Sequence, residues 1–487
     1  MLFTTLAFGL FFIISFLVYY MLPAKNKWIW LLISSAFFYM FLNPIYILVP
    51  ILLGLIAYYG GILIEKTLVQ KVKKRIFIIS TFLIVLILVF FKYINFLTSL
   101  LLDFLNLFNS KVFISSGVDN IFVFKILIPL GISFITFQLL GYLIEIYRNN
   151  NKAEKNVGHF LTYVLFFPKV LMGPIERPHN FLPQLKKDIK FNYGDVTSGL
   201  KLIVWGLIKK AIIADRLSVF VTDVYSNAQN YSGIVLILAC IFFTFQLYAD
   251  FSGYTDMAIG MAKVFGFNLS QNFDRPFIAK SISEFWRRWH MTLSSWFVDY
   301  FYNPIAIEKR NWGRIGVIYA SMLTFLILGL WHGPNITFLV FGGLHGVMVA
   351  TEFLTRNGRK KIRKKIPVFF NDVGAMIFTF SFFSFSLIFF RSNSVSDAFY
   401  IIKHFFVALK TSQLDQLIIV SKNYWTLIEL LISIALLLIM EFYGYSRLSD
   451  ILNKRPIYFR WLIYIIVVLF VCIFGIYYNK QFIYVQF

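Results

Sequence analysis

Thr324-Phe325-Leu326-Ile327-Leu328-Gly329-Leu330-Trp331-His332-Gly333 is the stretch on which the reading turns. About eight apolar or small residues lead into an ionisable side chain, His332, and a second apolar run begins straight after Pro334. A run of that quality belongs in lipid. An ionisable group at such depth costs roughly several kcal/mol unless a partner satisfies it or a function uses it. Imidazole, with an ordinary pKa near about 6.5, is the natural proton acceptor at neutral pH. Helix, cavity and chemistry are therefore all implied around His332.

The rest of the chain agrees with a lipid setting. Of 487 residues, 59% are hydrophobic, 20% aromatic and only 14% charged, with a mean hydropathy of +0.74. Soluble chains carry about 25% charged residues. A spanning helix needs about 20 apolar residues, and twelve stretches qualify with loose ends: 3–22, 28–42, 45–65, 76–102, 121–147, 199–219, 233–256, 315–333, 335–355, 368–391, 424–444 and 459–479. The expectation is an all-α polytopic membrane protein with about eleven or twelve spans. The first run, Leu6 to Leu22, has no basic flank or small-residue cleavage site and reads as a retained span, not a signal peptide.

The net charge of +23 would suggest nucleic acid in a soluble protein. Here the cations sit in short connectors, including Lys66 to Arg75 and the run Arg356 to Lys365, without interleaved stacking aromatics. They read as cytoplasmic loops under the positive-inside rule, not as a nucleic-acid site. The connectors assigned to the outside, near Asn43-Pro44, 103–120, 220–231 and 392–423, are poorer in Lys and Arg. Cys240 and Cys472 lie in apolar runs and read as small packing residues.

Two stretches are too short or too mixed to span. Phe160 to Gly173 is apolar and ends in Met172-Gly173-Pro174-Ile175-Glu176-Arg177-Pro178, the pattern of a re-entrant or interfacial segment. Ser281 to Tyr302 mixes Trp286, Trp289 and Trp296 with Arg287, Arg288 and His290 and reads as one helix lying in the headgroup plane. Ser281 and Glu284 form a capping-box signal at its start.

The polar residues in these apolar surroundings are the functional candidates. His332 sits where its helix stops abruptly, so freed backbone implies a buried or wet cavity. His290 closes the Phe285-Trp286-Arg287-Arg288-Trp289-His290 run as a second group facing that cavity or as a headgroup-level ring. Arg287 and Arg288 suit an anionic donor, or lipid phosphates. His345 reads as packing or support behind the site, and no third ligand accompanies the two histidines to make a metal site. In Tyr248-Ala249-Asp250-Phe251-Ser252-Gly253-Tyr254-Thr255-Asp256, Asp256 reads as the cap of a helix starting at Met257, and Asp250 as the harder carboxylate to dismiss. Gln138, Glu145, Glu176 and Arg177 are lesser candidates. No Walker A loop, nucleophile elbow or dinucleotide fingerprint is present.

These segments together resemble the membrane-bound O-acyltransferase family, in its bacterial alginate O-acetyltransferase-like branch. The resemblance rests on the Tyr248–Asp256 stretch, Phe285–His290 and Leu330-Trp331-His332-Gly333. Pro129-Leu130-Gly131-Ile132-Ser133-Phe134, the Met172–Ile175 loop and the closing Phe482–Phe487 add to it. It implies a single integral domain over 1–487, with peripheral helices in 1–120, a catalytic core in 121–355 and C-terminal helices in 356–487. It implies His332 as catalytic base and His290 as second catalytic histidine, orienting the donor or bonding its carbonyl oxygen. Trp331, Arg287, Arg288, Asp250, Ser252 and Gln138 become the candidate substrate contacts.

The implied activity is acyl transfer, chiefly acetyl, in the bacterial cytoplasmic membrane. The donor is acetyl-CoA or a carrier-protein thioester, with an acyl carrier protein as one partner and no tightly bound cofactor. The acceptor is a hydroxyl of an exported polysaccharide or cell-wall polymer, reached through an extracytoplasmic acetyltransferase or relay protein. The alternatives are D-alanyl transfer to teichoic acid and a transporter or flippase without chemistry. Transporter folds usually carry inverted repeats, and the only internal echo is Thr136-Phe137-Gln138-Leu139 with Thr244-Phe245-Gln246-Leu247.

Overall fold

The computed structural model of the chain describes residues 1–41, 43–108, 128–407, 411–421 and 423–476. All its regular elements are helical, and the packing divides into two compact units. The beginning of the expected span 121–147, most of the 103–120 connector and the closing 482–487 motif lie outside the described residues.

The first unit covers Ile14–Leu171 and Ile175–Lys190. It holds most of α1 (Leu6–Met21), then α2 (Ala24–Met40), α3 (Leu48–Lys66), α4 (Gln70–Phe108), α5 (Ile132–Tyr147), α6 (Val157–Leu165) and α7 (Pro178–Leu185). After α6 the chain runs irregularly through residues 166–171, all buried. Irregular backbone survives at membrane depth only inside protein, which agrees with the re-entrant reading. Lys169 in this run is wholly buried, donates to the Gln138 side-chain oxygen and lies over the Tyr163 ring at 4.2 Å.

The second unit contains the remaining helices: α8 (Tyr193–Leu207), α9 (Asp215–Ser226), α10 (Ile234–Val264), α11 (Ile282–Arg288), α12 (Met291–Phe297), α13 (Asn303–Glu308), α14 (Arg314–His332), α15 (Ile336–Leu354), α16 (Arg356–Arg363), α17 (Val368–Arg391), α18 (Val395–Lys403), α19 (Thr411–Ser421), α20 (Tyr424–Tyr443), α21 (Tyr445–Asn453) and α22 (Ile457–Phe474). Helix α10 is its axis: 78% of its most apolar window is buried, against 6% for α22. The exposed side chains of α22 include Trp461, Leu462, Ile465, Ile466 and Leu469. A stripe like that is stable against acyl chains, not water.

Eight described helices are long and apolar enough to cross a bilayer: α3 with its preceding turn, α4, α10, α14, α15, α17, α20 and α22. Four of the twelve expected stretches depart from that. α1 and α5 are apolar but shorter, and 28–42 becomes the 17-residue α2. The stretch 199–219 is interrupted, because α8 passes into a π-helical segment, Ile208–Ala214, before α9.

The reason lies in two consecutive buried lysines that need acids. Lys210 Nζ stands 2.6 Å from Asp250 and 2.9 Å from Asp215. Lys209 Nζ stands 3.1 Å from Asp256 and 2.9 Å from Glu441. A widened turn of this kind presents neighbouring side chains that a regular helix would point apart. Asp256 is therefore no helix cap: α10 runs unbroken past it to Val264, and its carboxylate is a mid-helix counter-ion.

Helices α14 and α15 touch along glycine. A Cβ on Gly342 would lie 2.2 Å from the Phe325 carbonyl oxygen, and one on Gly329 would lie 2.3 Å from that of Phe338. Backbones this close need small residues at the crossing, and the contact sets the helix that ends in His332 directly against its successor.

Candidate active site

His332 is the last residue of α14, 4% exposed. The chain then leaves helical geometry at Gly333 and Pro334, and Asn335 caps α15 by accepting from the Thr337 N–H at 3.1 Å. The imidazole is walled by aromatic rings: Phe390 at 4.9 Å, Phe341 at 5.9 Å and Phe338 at 6.2 Å between centroids.

His290 reaches the same place by a different route. The expected single helix over 281–302 is in fact α11, a break, α12 and a π segment, Val298–Tyr302. Ser281 does cap α11 through the Glu284 N–H at 3.1 Å, but Glu284 reaches back to the Lys280 N–H, one residue before the usual place. Trp286, Trp289 and His290 are buried in protein, not spread in a headgroup plane. The break falls on His290, whose φ of +43° is in the left-handed region. Side chains other than glycine enter that region at a cost of about 1–3 kcal/mol and stay only when surroundings enforce it.

The enforcement comes from residues 272–274. The Asp274 N–H donates to the Arg288 carbonyl and the Met291 N–H to that of Asn272, each at 2.9 Å. The Asn272 side chain then fixes the ring. Its Oδ1 accepts from the Thr292 N–H at 3.3 Å and the Thr292 hydroxyl at 2.9 Å, and lies 3.1 Å from His290 Nδ1. A backbone N–H only donates, so this atom is the amide oxygen. His290 Nδ1 therefore carries the ring proton and Nε2 the lone pair. Burial pushes the His290 pKa far below the histidine range, so the ring is neutral. Asn272→Ala removes the acceptor of three donors. We expect a loss of about 1–3 kcal/mol in thermal unfolding, together with a lower acyl-transfer rate as the ring loses its tautomer.

Both histidines line one cavity of about 270 Å³, with Trp286, Trp289, Phe341, Phe383 and Phe390 among its walls. Trp331 stands between their rings, 6.2 Å from His290 and 4.7 Å from His332. An apolar enclosure with two neutral imidazoles suits chemistry in which a proton is taken up where water is scarce.

Comparison with known proteins follows the same residues. Residues 150–392, which hold both histidines, match the model of the membrane-bound O-acyltransferase family. A peptidoglycan O-acetyltransferase of Helicobacter pylori is 33% identical over 424 residues, 80% of this chain and 76% of that protein. The chain belongs to the membrane-bound O-acyltransferase family. As a member of that family it is a multi-pass membrane O-acyltransferase. A probable alginate O-acetylase of Pseudomonas syringae is 33% identical over 69% of this chain and 62% of its own length. A teichoic acid D-alanyltransferase of Bacillus subtilis is 28% identical over 54% of this chain and 69% of its own.

Within this family member, the other residues expected to touch substrate do not line the cavity. Arg288 is committed to carboxylates, Glu284 at 3.0 Å and Asp274 at 2.9 Å, so it braces α11 rather than awaiting an anion. Arg287 is exposed. Asp250 is neutralised by Lys210 inside the helix core, and Ser252 is buried on the same helix, 1% exposed. Gln138 belongs to the first unit and is held by Lys169. Asn272, Phe341, Phe383 and Phe390 escaped the sequence reading, because no motif marks an asparagine in a loop or a phenylalanine in a run of phenylalanines.

Proposed function

We propose that the protein moves an acetyl group from a cytoplasmic thioester, acetyl-CoA or a carrier-protein pantetheine, across the bacterial cytoplasmic membrane to a hydroxyl of an exported polysaccharide or cell-wall polymer, by way of extracytoplasmic partners. The observation that carries this reading is the shared cavity of His290 and His332 within a family of O-acyltransferases.

His332 takes the proton from the attacking hydroxyl as its oxygen bonds to the thioester carbonyl. The C–S bond then breaks and the proton passes to the departing thiolate, so no net proton is consumed. General-base help of this kind contributes about 10²–10⁴-fold. His290 has a narrower part than the sequence suggested. With Nε2 as its lone-pair nitrogen it accepts a hydrogen bond, so it steadies the incoming O–H or an amide N–H of the donor arm. It does not donate to the carbonyl oxygen.

The names of the relatives support acetyl as the cargo, since the O-acetyltransferase of Helicobacter pylori aligns over 80% of this chain and the D-alanyltransferase over 54%. The cavity lining supports it independently. No carboxylate is among the lining residues, and a D-alanyl ammonium would need one.

The test uses membrane vesicles that carry the chain and its neighbouring gene products, with acetyl-labelled acetyl-CoA or acyl carrier protein outside and polymer inside. Label is expected in base-labile esters of the polymer. Polymer crossing the membrane without ester formation would overturn the proposal in favour of transport.

A further inference from the structure

Helix α11 is gripped from one side by α15 at two heights. Glu352 is 7% exposed. Its carboxylate accepts from the Ile282 N–H at 2.6 Å, the Ser283 N–H at 3.0 Å and the Ser283 hydroxyl at 2.6 Å. Those backbone donors belong to the first turn of α11, which has no intrahelical partners for them and favours negative charge.

Seven residues earlier on α15, two turns back and so on the same face, His345 is completely buried. The Trp286 indole N–H donates to its Nδ1 at 3.2 Å, and its Nε2 lies 3.0 Å from the Ser386 hydroxyl oxygen. An indole N–H can only donate, so Nδ1 holds a lone pair and the ring proton sits on Nε2. That proton goes to Ser386, whose own hydroxyl donates to the Phe383 carbonyl at 2.7 Å. The direction of every bond in the chain Trp286, His345, Ser386, Phe383 is thus fixed. Both ends of it, Trp286 and Phe383, are walls of the cavity.

A seven-residue helix cannot hold its own geometry, yet α11 must deliver His290 one turn after Trp286. We propose that His345 is a positioning residue that, locked in one tautomer by Ser386, fixes Trp286 and, with Glu352, sets α11 at the spacing that faces His290 toward His332. The proposal rests on reading that pair as the acyl-transfer site. Errors of about 1 Å in such placement cost up to about a hundredfold in rate.

The experiment compares His345→Leu, which removes both bonds, with His345→Asn, whose side-chain oxygen keeps an acceptor near the Nδ1 position. Trp286→Phe, which keeps a ring and deletes the N–H, covers the case in which His345→Leu does not fold. Hydrogen–deuterium exchange of the full chain in detergent should quicken over residues 284–292 in His345→Leu and Trp286→Phe and stay at the wild-type rate in His345→Asn. Acyl transfer should lose about tenfold in kcat, with the donor KM within about twofold, and recover in His345→Asn. Wild-type exchange and kcat in both disruptive variants would overturn the proposal. So would faster exchange spread evenly over α14, α15 and α17, the mark of a packing residue. If the wild-type chain transfers no acyl group at all, the functional reading fails, while the exchange contrast still decides the clamp.

Discussion

His332→Ala is expected to reach the membrane in wild-type amount and to transfer acyl groups about 10²–10⁴-fold more slowly. The ring makes its contacts with aromatic walls at the frayed end of α14, not in the middle of a helix contact. Losing it enlarges a cavity that already exists, so the stability cost is small beside the loss of chemistry. The measurement is ester formation per molecule of membrane-inserted protein. A wild-type rate would remove His332 from the mechanism. His290→Ala is expected to be milder, because a hydrogen-bonding role leaves the proton acceptor intact.

The second large effect concerns stability. Lys210→Met leaves Asp250 and Asp215, 1% and 5% exposed, without the ammonium between them. Breaking a buried ion group by removing one partner costs about 3–5 kcal/mol, because the remaining charges stay buried. A marked drop in melting temperature and in the yield of folded protein should follow. Adding Asp250→Asn to Lys210→Met should return part of it, since one stranded charge goes with the lysine. An unchanged melting temperature in Lys210→Met would mean that water reaches these carboxylates.

How much of this was legible depends on the kind of signal. Apolar length is written locally, so eight spans were placed by their runs alone. Trp331-His332-Gly333-Pro334 also announced its own helix end. The break inside 281–302 was not legible, because Ser281–Tyr302 has no glycine or proline before Pro304, and a histidine at φ +43° is imposed by residues 272–274 from outside. Tryptophans beside arginines carry the same composition whether they lie among headgroups or inside a fold. Only the partners of Arg288 and Trp286 separate the two cases. The lysines at 209 and 210 were read through as part of a span, since their acids are supplied by α9, α10 and a residue more than two hundred positions away, Glu441. Asn272, which decides the tautomer of His290, carries no pattern at all.

The π segment between α8 and α9 has a consequence for how this chain tolerates change in length. A widened turn holds one residue more than the regular helix it replaces. Deleting a single residue such as Ala211 would leave a smooth helix of good propensity, yet turn everything after it by about 100° about the axis. Asp215 would swing away from Lys210, and α9 would present its outer face inward. Insertions and deletions that loops absorb without harm should therefore be lethal here, although the composition of the segment would hardly change.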